Sequence, residues 1–222
     1  MSDQRALVRT GQSGILLRTD QANPRVVRGL ARLDGQPVDR FNLADPANRY
    51  EASFPDDRAI GHLFALDDDG YWKELGEATG TVHLPVRRFL RFENGHLPLA
   101  SADLDLIEPL QLLRDVRLTG KEITDDGLDR LSGLRALRVL ALLYTATTDA
   151  GLATISHLST LHDLDIRASQ LTDNGLARLR DLSELQSLAL AHAPIGRRGA
   201  VQIGDLRQLR RLSLHDVPLG DD

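Results

Sequence analysis

One leucine pattern, returning at a fixed interval without a break, constrains this chain more than any other feature. From Leu113 the string LxxLxL recurs at Leu137, Leu161, Leu185 and Leu209, each 24 residues after the last. The second apolar column is Val116, Leu140, Leu164, Leu188 and Leu212, and the third is Leu118, Leu142, Ile166, Leu190 and Leu214. Apolar residues two apart lie on one face of an extended backbone, so each unit opens with a short strand buried on one side. Five residues on comes a fourth column, Ile123, Thr147, Leu171, Ile195 and Leu219.

After that column stand Thr124, Thr148 and Thr172, with Asp125, Asp149 and Asp173 behind them. A threonine hydroxyl can cap an orphan N–H, and a carboxylate favours the positive end of the helix dipole, so each pair reads as a helix start. Then Leu128, Leu131 and Leu134 recur as Leu152, Ile155 and Leu158, as Leu176, Leu179 and Leu182, and as Ala200, Ile203 and Leu206. This i, i+3, i+6 spacing makes one helical face. Gly127, Gly151, Gly175 and Gly199 fall just inside the helices, where glycine costs about 1 kcal/mol of propensity, so their regular return points to close packing between neighbouring turns. In the fourth unit Gly196 and Arg197 replace Thr and Asp, which predicts a weaker helix start and an irregular convex segment. A strand and a helix this short cannot bury their apolar faces alone, but stacked copies can. The expected fold is α/β: a right-handed solenoid with a curved parallel sheet on the concave side and short helices on the convex side.

The period and the LxxLxL core resemble the leucine-rich-repeat pattern. The forms Ile123-Thr124-Asp125-Asp126-Gly127-Leu128, Leu171-Thr172-Asp173-Asn174-Gly175-Leu176 and Thr147-Thr148-Asp149-Ala150-Gly151-Leu152 look like the "itdxGL" variant of F-box-associated and bacterial GALA-type repeats. That resemblance implies a bacterial protein that binds other proteins. A role as a ubiquitin-ligase adaptor is not expected, because no F-box helix pattern precedes the repeats. Where many such repeats carry Asn or Cys for an internal hydrogen-bond ladder, this chain has Lys121, Thr145, Ser169, Ala193 and Val217, so its loop bonding must differ.

Residues 1–85 lack the repeat and read as a β-rich capping region, since solenoid ends expose core. Alternating segments lie at Ala6–Arg9 and Ile15–Arg18 around a Thr10–Gly14 turn, and at Ala59–Ala65 before Asp67-Asp68-Asp69-Gly70. Pro24–Leu33 fits either a strand or a short helix, and Asn42–Pro55 reads as loop. The stretch Ala59–Leu63, Trp72 and Leu75–Pro85 resembles the segment that precedes the repeats in a group of bacterial leucine-rich-repeat proteins. The solenoid then covers 86–222: an irregular pre-repeat at 86–112, with Leu90-Arg91-Phe92 as its strand and Leu104, Ile107 and Leu110 in the helical columns, regular repeats from 113, 137, 161 and 185, and a truncated repeat at 209–222. That last unit ends after its strand, which leaves an exposed edge or a partner's docking site.

The chemistry is sparse. Of the 222 residues none is cysteine, which removes disulfides and thiolates and fits a reducing, cytoplasmic setting. A net charge of −5 opposes phosphate backbones and anionic membranes, so neither nucleic acid nor membrane is expected as partner. Met1–Gly14 lacks the apolar stretch of a secretory leader. GxSxG, HExxH, GxGxxG and P-loop strings are all absent, so an enzyme is not expected, nor a cofactor. Among seven histidines, His162 alone is followed closely by two ligand-type residues, Asp163 and Asp165, with His192 a strand away; repeated acidic side chains on a solvated sheet are the commoner arrangement, and no metal is expected. Asp67–Gly70 lacks the alternating ligands of an EF-hand loop and reads as a hairpin turn. Arg197, Arg198, Arg207, Arg210 and Arg211 cluster without interleaved aromatics and read as solvated charge.

What is left is a surface. Strand alternation points outward Asp115, Arg117 and Thr119; Val139, Ala141 and Leu143; Asp163, Asp165 and Arg167; Ser187, Ala189 and Ala191; and Arg211, Ser213 and His215. Together with Tyr144 and His192 they form the expected partner-binding face. Val139, Leu143 and Tyr144 make an apolar spot flanked by charge, as in an interface core with a polar rim. The alternatives are an enzymatic or ligand site in residues 1–85, built from His62, Asp67–Asp69, Trp72 and His83, and self-association through the C-terminal edge strand.

Overall fold

A computed structural model describes residues 5–9, 16–20, 49–167 and 170–218. The chain divides into two compact units, Met1–Arg91 and Phe92–Asp222.

In the first unit, β1 (Arg5–Arg9) and β2 (Leu16–Asp20) pair antiparallel, and β3 (Arg49–Ser53) joins them through Arg18 opposite Glu51. The hairpin of β4 (His62–Leu66) and β5 (Trp72–Glu77) follows, and then β6 (Thr81–Pro85), which pairs antiparallel with β3. The strand at Arg49–Ser53 corrects the loop reading of Asn42–Pro55: the flanking Pro46 and Pro55 masked a five-residue strand with Ala52 in the core. Thr10–Gly14 and Pro24–Leu33 lie outside the described residues. The acidic run is a turn. Asp67 Oδ1 accepts the N–H groups of Asp69 and Tyr71 at 3.1 and 2.7 Å, and Gly70 takes φ +84° without a side chain to resist it. β7 (Leu90–Glu93) spans the boundary between the units.

The second unit is built from coils. A 3-10 turn at Ser101–Leu106 precedes β8 (Leu113–Thr119), and then strand and helix alternate: α1 (Asp125–Asp129), β9 (Val139–Leu143), α2 (Asp149–Ile155), β10 (Asp163–Arg167), α3 (Asp173–Leu176), β11 (Ser187–Ala191), α4 (Arg197–Gly204) and β12 (Arg211–His215). β8 to β12 pair parallel in sequence order, and each residue faces the one 24 places on. The leucine columns are therefore stacked rows: Val116, Leu140, Leu164 and Leu188 are buried side by side, as are Leu118, Leu142, Ile166 and Leu190. The row ends at Leu212, 47% exposed on the last strand of the sheet among the described residues.

The threonine and aspartate of each helix start do more than cap. Thr148 and Thr172 hydroxyls accept the N–H groups of Ala150 and Asn174 at 3.2 Å, whereas Thr124 makes no such cap. The aspartates reach into the next coil. Asp125 accepts from the Thr148 N–H and hydroxyl at 2.9 and 2.6 Å, Asp149 from those of Thr172 at 2.8 and 2.6 Å, and Asp173 from the Gly196 N–H at 2.8 Å. Ser101 opens the series by accepting the Thr124 N–H at 2.9 Å. This ladder replaces the Asn/Cys ladder that the chain lacks at 121, 145, 169, 193 and 217.

The ladder also explains the recurring glycines. A Cβ on Gly151 or Gly175 would overlap the carboxylate of Asp125 or Asp149, one on Gly199 would lie 2.5 Å from Asp173 Oδ1, and one on Gly127 would lie 2.6 Å from Ser101 Oγ. It corrects the expectation for the fourth unit as well: α4 is an ordinary helix of eight residues. Its start needs no side chain at Gly196, because Asp173 of the preceding coil holds the Gly196 N–H.

Asn94 supplies another buried bond set. Only 1% exposed, it accepts the Thr119 N–H at 2.7 Å and donates to the carbonyls of Leu97 and Thr119 at 2.9 Å each.

Candidate functional site

Because the strands pair in register, the outward side chains of the sheet lie in three rows. Asp115, Val139, Asp163, Ser187 and Arg211 form the first; Arg117, Ala141, Asp165, Ala189 and Ser213 the second; Thr119, Leu143, Arg167, Ala191 and His215 the third. Not all of them reach solvent. Asp115 is 2% exposed and Ala141 and Ala191 are buried, which corrects their assignment to an open face. The alanines are too short to clear their larger neighbours, and Asp115 lies beneath the Arg117 guanidinium, at 3.1 Å from Nε to Oδ1.

Charge on the face is organised in pairs. Arg167 straddles Asp165, with Nε and Nη2 at 2.9 and 2.8 Å from the carboxylate, and this bond holds its pKa above the ordinary value. Burial opposes the charge on Arg117, but the hydrogen bond to Asp115 and the nearby Glu93 and Asp165 outweigh it and raise its pKa too. Arg211 reaches across two strands to Asp163 at 3.0 Å. Between the Asp115–Arg117 and Asp165–Arg167 pairs lies β9, whose outward side chains Val139 and Leu143 are half-buried and carry no charge.

Tyr144 caps this uncharged strip. It is 59% exposed and its backbone is left-handed, at φ 56°. His192 and Asp216, at the same place in later coils, have φ 52° and 50°, and Gly120 fills the place after β8 with φ 122°. The N–H groups of Gly120, Tyr144 and His192 bond the last strand carbonyl of the next coil at 3.1, 2.8 and 3.0 Å, so the pairing demands the turn. Glycine meets that demand without strain; a side chain there costs about 1–2 kcal/mol. Sequence spacing shows no sign of a left-handed backbone at a tyrosine or histidine, so this shared rim was missed.

His162 Nδ1 lies 2.9 Å from the Thr160 carbonyl and 3.3 Å from Arg138 Nη1, while Asp163 and Asp165 are engaged by arginines. His192 instead stands beside His215 and Asp216. The five clustered arginines are all exposed, as solvated charge would be.

The candidate site in the first unit does not assemble from the residues expected of it. His62 meets Glu74 at 3.0 Å, Asp68 pairs with Arg88, Trp72 lies under Arg91 with the guanidinium carbon 4.6 Å from the ring centre, and His83 approaches Glu51 at 3.8 Å. His62 and Trp72 sit at opposite ends of the β4–β5 pairing.

This architecture, parallel strands in a 24-residue register backed by short helices, is a leucine-rich-repeat solenoid. No family model and no curated protein matches the chain. Among solved structures it is similar to internalin C2 of Listeria monocytogenes, at 20% identity and TM-score 0.39 over 59% of this chain and 73% of that one. It is also similar to the leucine-rich-repeat ectodomain of the Arabidopsis receptor kinase HAESA, solved with a peptide hormone, at 15% identity and TM-score 0.35 over 52% of this chain. The SOBIR1 ectodomain from Arabidopsis thaliana matches at 15% identity and TM-score 0.32, over 73% of this chain and 83% of that one. The chain spans only 25% of the HAESA ectodomain and 46% of internalin F.

Proposed function

We propose that this chain is a protein-interaction module that engages a partner protein through the outer side chains of its parallel sheet. Tyr144 carries the proposal. A large aromatic side chain held in solvent by a strained backbone, beside the uncharged Val139 and Leu143 and between two arginine–aspartate pairs, has the make-up of an interface anchor with a polar rim. Arg117, Asp163, Asp165, Arg167, Ala189, Arg211, His192 and His215 complete the surface. Its repeats are taken as the GALA-like type on the strength of the Thr-Asp-x-Gly-Leu segments.

The test compares wild type with Tyr144→Gly/Leu143→Ser and with Val201→Ser, which alters an exposed apolar residue on α4, away from the sheet face. Tyr144→Gly removes the aromatic ring and leaves the turn unstrained. A partner captured from the native host should be lost from the first variant and kept by the second. Equal capture by all three proteins would refute the assignment.

A further inference from the structure

We infer that His192, His215 and Asp216 form a binding site for a divalent transition-metal ion of the zinc class, on the rim joining the last two coils. The observation is convergence. His192 Nδ1 and His215 Nε2 both approach the same carboxylate oxygen, Asp216 Oδ2, at 3.4 and 3.3 Å, and one ligand atom from each of the three residues lies within 4.8 Å of the others. Donors bound tetrahedrally to zinc at about 2.0–2.1 Å stand about 3.3–3.4 Å apart, so the two distances to Asp216 already match a bound set.

The repeat geometry builds the cluster. Ala191 and His215 are register partners, and His192 and Asp216 are the residues that follow them. Both of those residues adopt the left-handed turn that ends a strand, and the His192 N–H bonds the His215 carbonyl at 3.0 Å. The two rings meet edge to face, with centroids 5.7 Å apart and planes at 82°.

Two imidazoles and one carboxylate favour zinc, nickel or copper over calcium or magnesium, which seek oxygen donors. With neutral imidazoles the set carries one negative charge. All three residues are exposed, so the ion can enter from solvent and complete its shell with water. A bound ion would tie β11 to β12, the strand whose inward Leu212 is the least covered of its row.

The test uses the full chain without an affinity tag, titrated calorimetrically with zinc chloride alone. One ion should bind per chain. His192→Gly and Asp216→Asn, both compatible with a left-handed backbone, should each weaken binding at least about tenfold, and His162→Gln should leave it unchanged. As a second readout, the β12 amides should exchange hydrogen more slowly with zinc in wild type and not in Asp216→Asn. Absence of one-to-one binding, or wild-type affinity retained by His192→Gly and Asp216→Asn, overturns the site and leaves Asp216 as a plain ion-pair partner of two histidines.

Discussion

Adding a single methyl group at Gly175 should destabilise this protein, although the same change in most helices stabilises it. Gly175 lies inside α3, where alanine normally gains about 1 kcal/mol over glycine. Here the new Cβ would overlap Asp149 Oδ1 and lie 2.8 Å from Asp149 Cγ and 3.1 Å from its Cα. The carboxylate cannot swing aside without giving up the Thr172 N–H and hydroxyl at 2.8 and 2.6 Å. Overpacking costs about 1–3 kcal/mol, and weakened bonds to a charged acceptor add to it, so Gly175→Ala should lose about 2 kcal/mol net. Asp149→Ala removes Cγ and both oxygens, and of the three crowding atoms only the backbone carbon stays near the new methyl. In that background the added methyl should cost less than about 1 kcal/mol, a coupling of at least about 1 kcal/mol. Urea denaturation followed by far-UV circular dichroism, on wild type, both single variants and the double variant, measures the cycle. If Gly175→Ala is stabilising, or the effects add within about 0.5 kcal/mol, the packing of aspartate against glycine is not what holds that position.

Three further outcomes are expected. Asn94→Ala should cost about 2–4 kcal/mol in the same denaturation assay, since it leaves the Thr119 N–H and two carbonyls without their buried partner. Tyr144→Gly alone should leave the denaturation midpoint unchanged or raised, because relief of the left-handed turn offsets the entropy that glycine brings to the unfolded chain. The Tyr71 N–H, helped by Lys73 and the Asp69 N–H, holds the Asp67 carboxyl below its ordinary pKa against the opposing effect of desolvation. Asp67 therefore contributes stability above the unfolded carboxylate pKa and loses it as pH falls through the lower folded value. The stability difference between wild type and Asp67→Asn should narrow across that acidic window in a pH series of denaturation curves.

The stacked architecture was legible because burial and period are the same signal: a leucine every 24 residues has to face its neighbour in the next coil. Direction along the chain was harder to read. Thr-Asp looks like a local cap in one dimension, yet Asp149 bonds Thr172, and only the coil spacing brings them together. The same local view made Gly196 look like a weak start for α4 and made Ala141, Ala191 and Asp115 look exposed, since alternation reports direction and not how far neighbouring side chains overhang. Val139, Leu143 and Tyr144 were legible as an apolar spot. The convergence of His192, His215 and Asp216 was not, because it depends on a backbone sign that histidine and aspartate do not announce. In residues 49–53 prolines on either side concealed a strand whose partner lies about thirty residues on.

Mutual burial of aliphatic rows in adjacent coils is the claim on which the exposed sheet face depends, and Leu164→Ala measures it most directly. Leu164 is 1% exposed, with Leu140 and Leu188 as its register partners on either side. Its truncation should lower the unfolding free energy by about 2–5 kcal/mol. A loss below about 0.5 kcal/mol would contradict the stacking of these rows as the core.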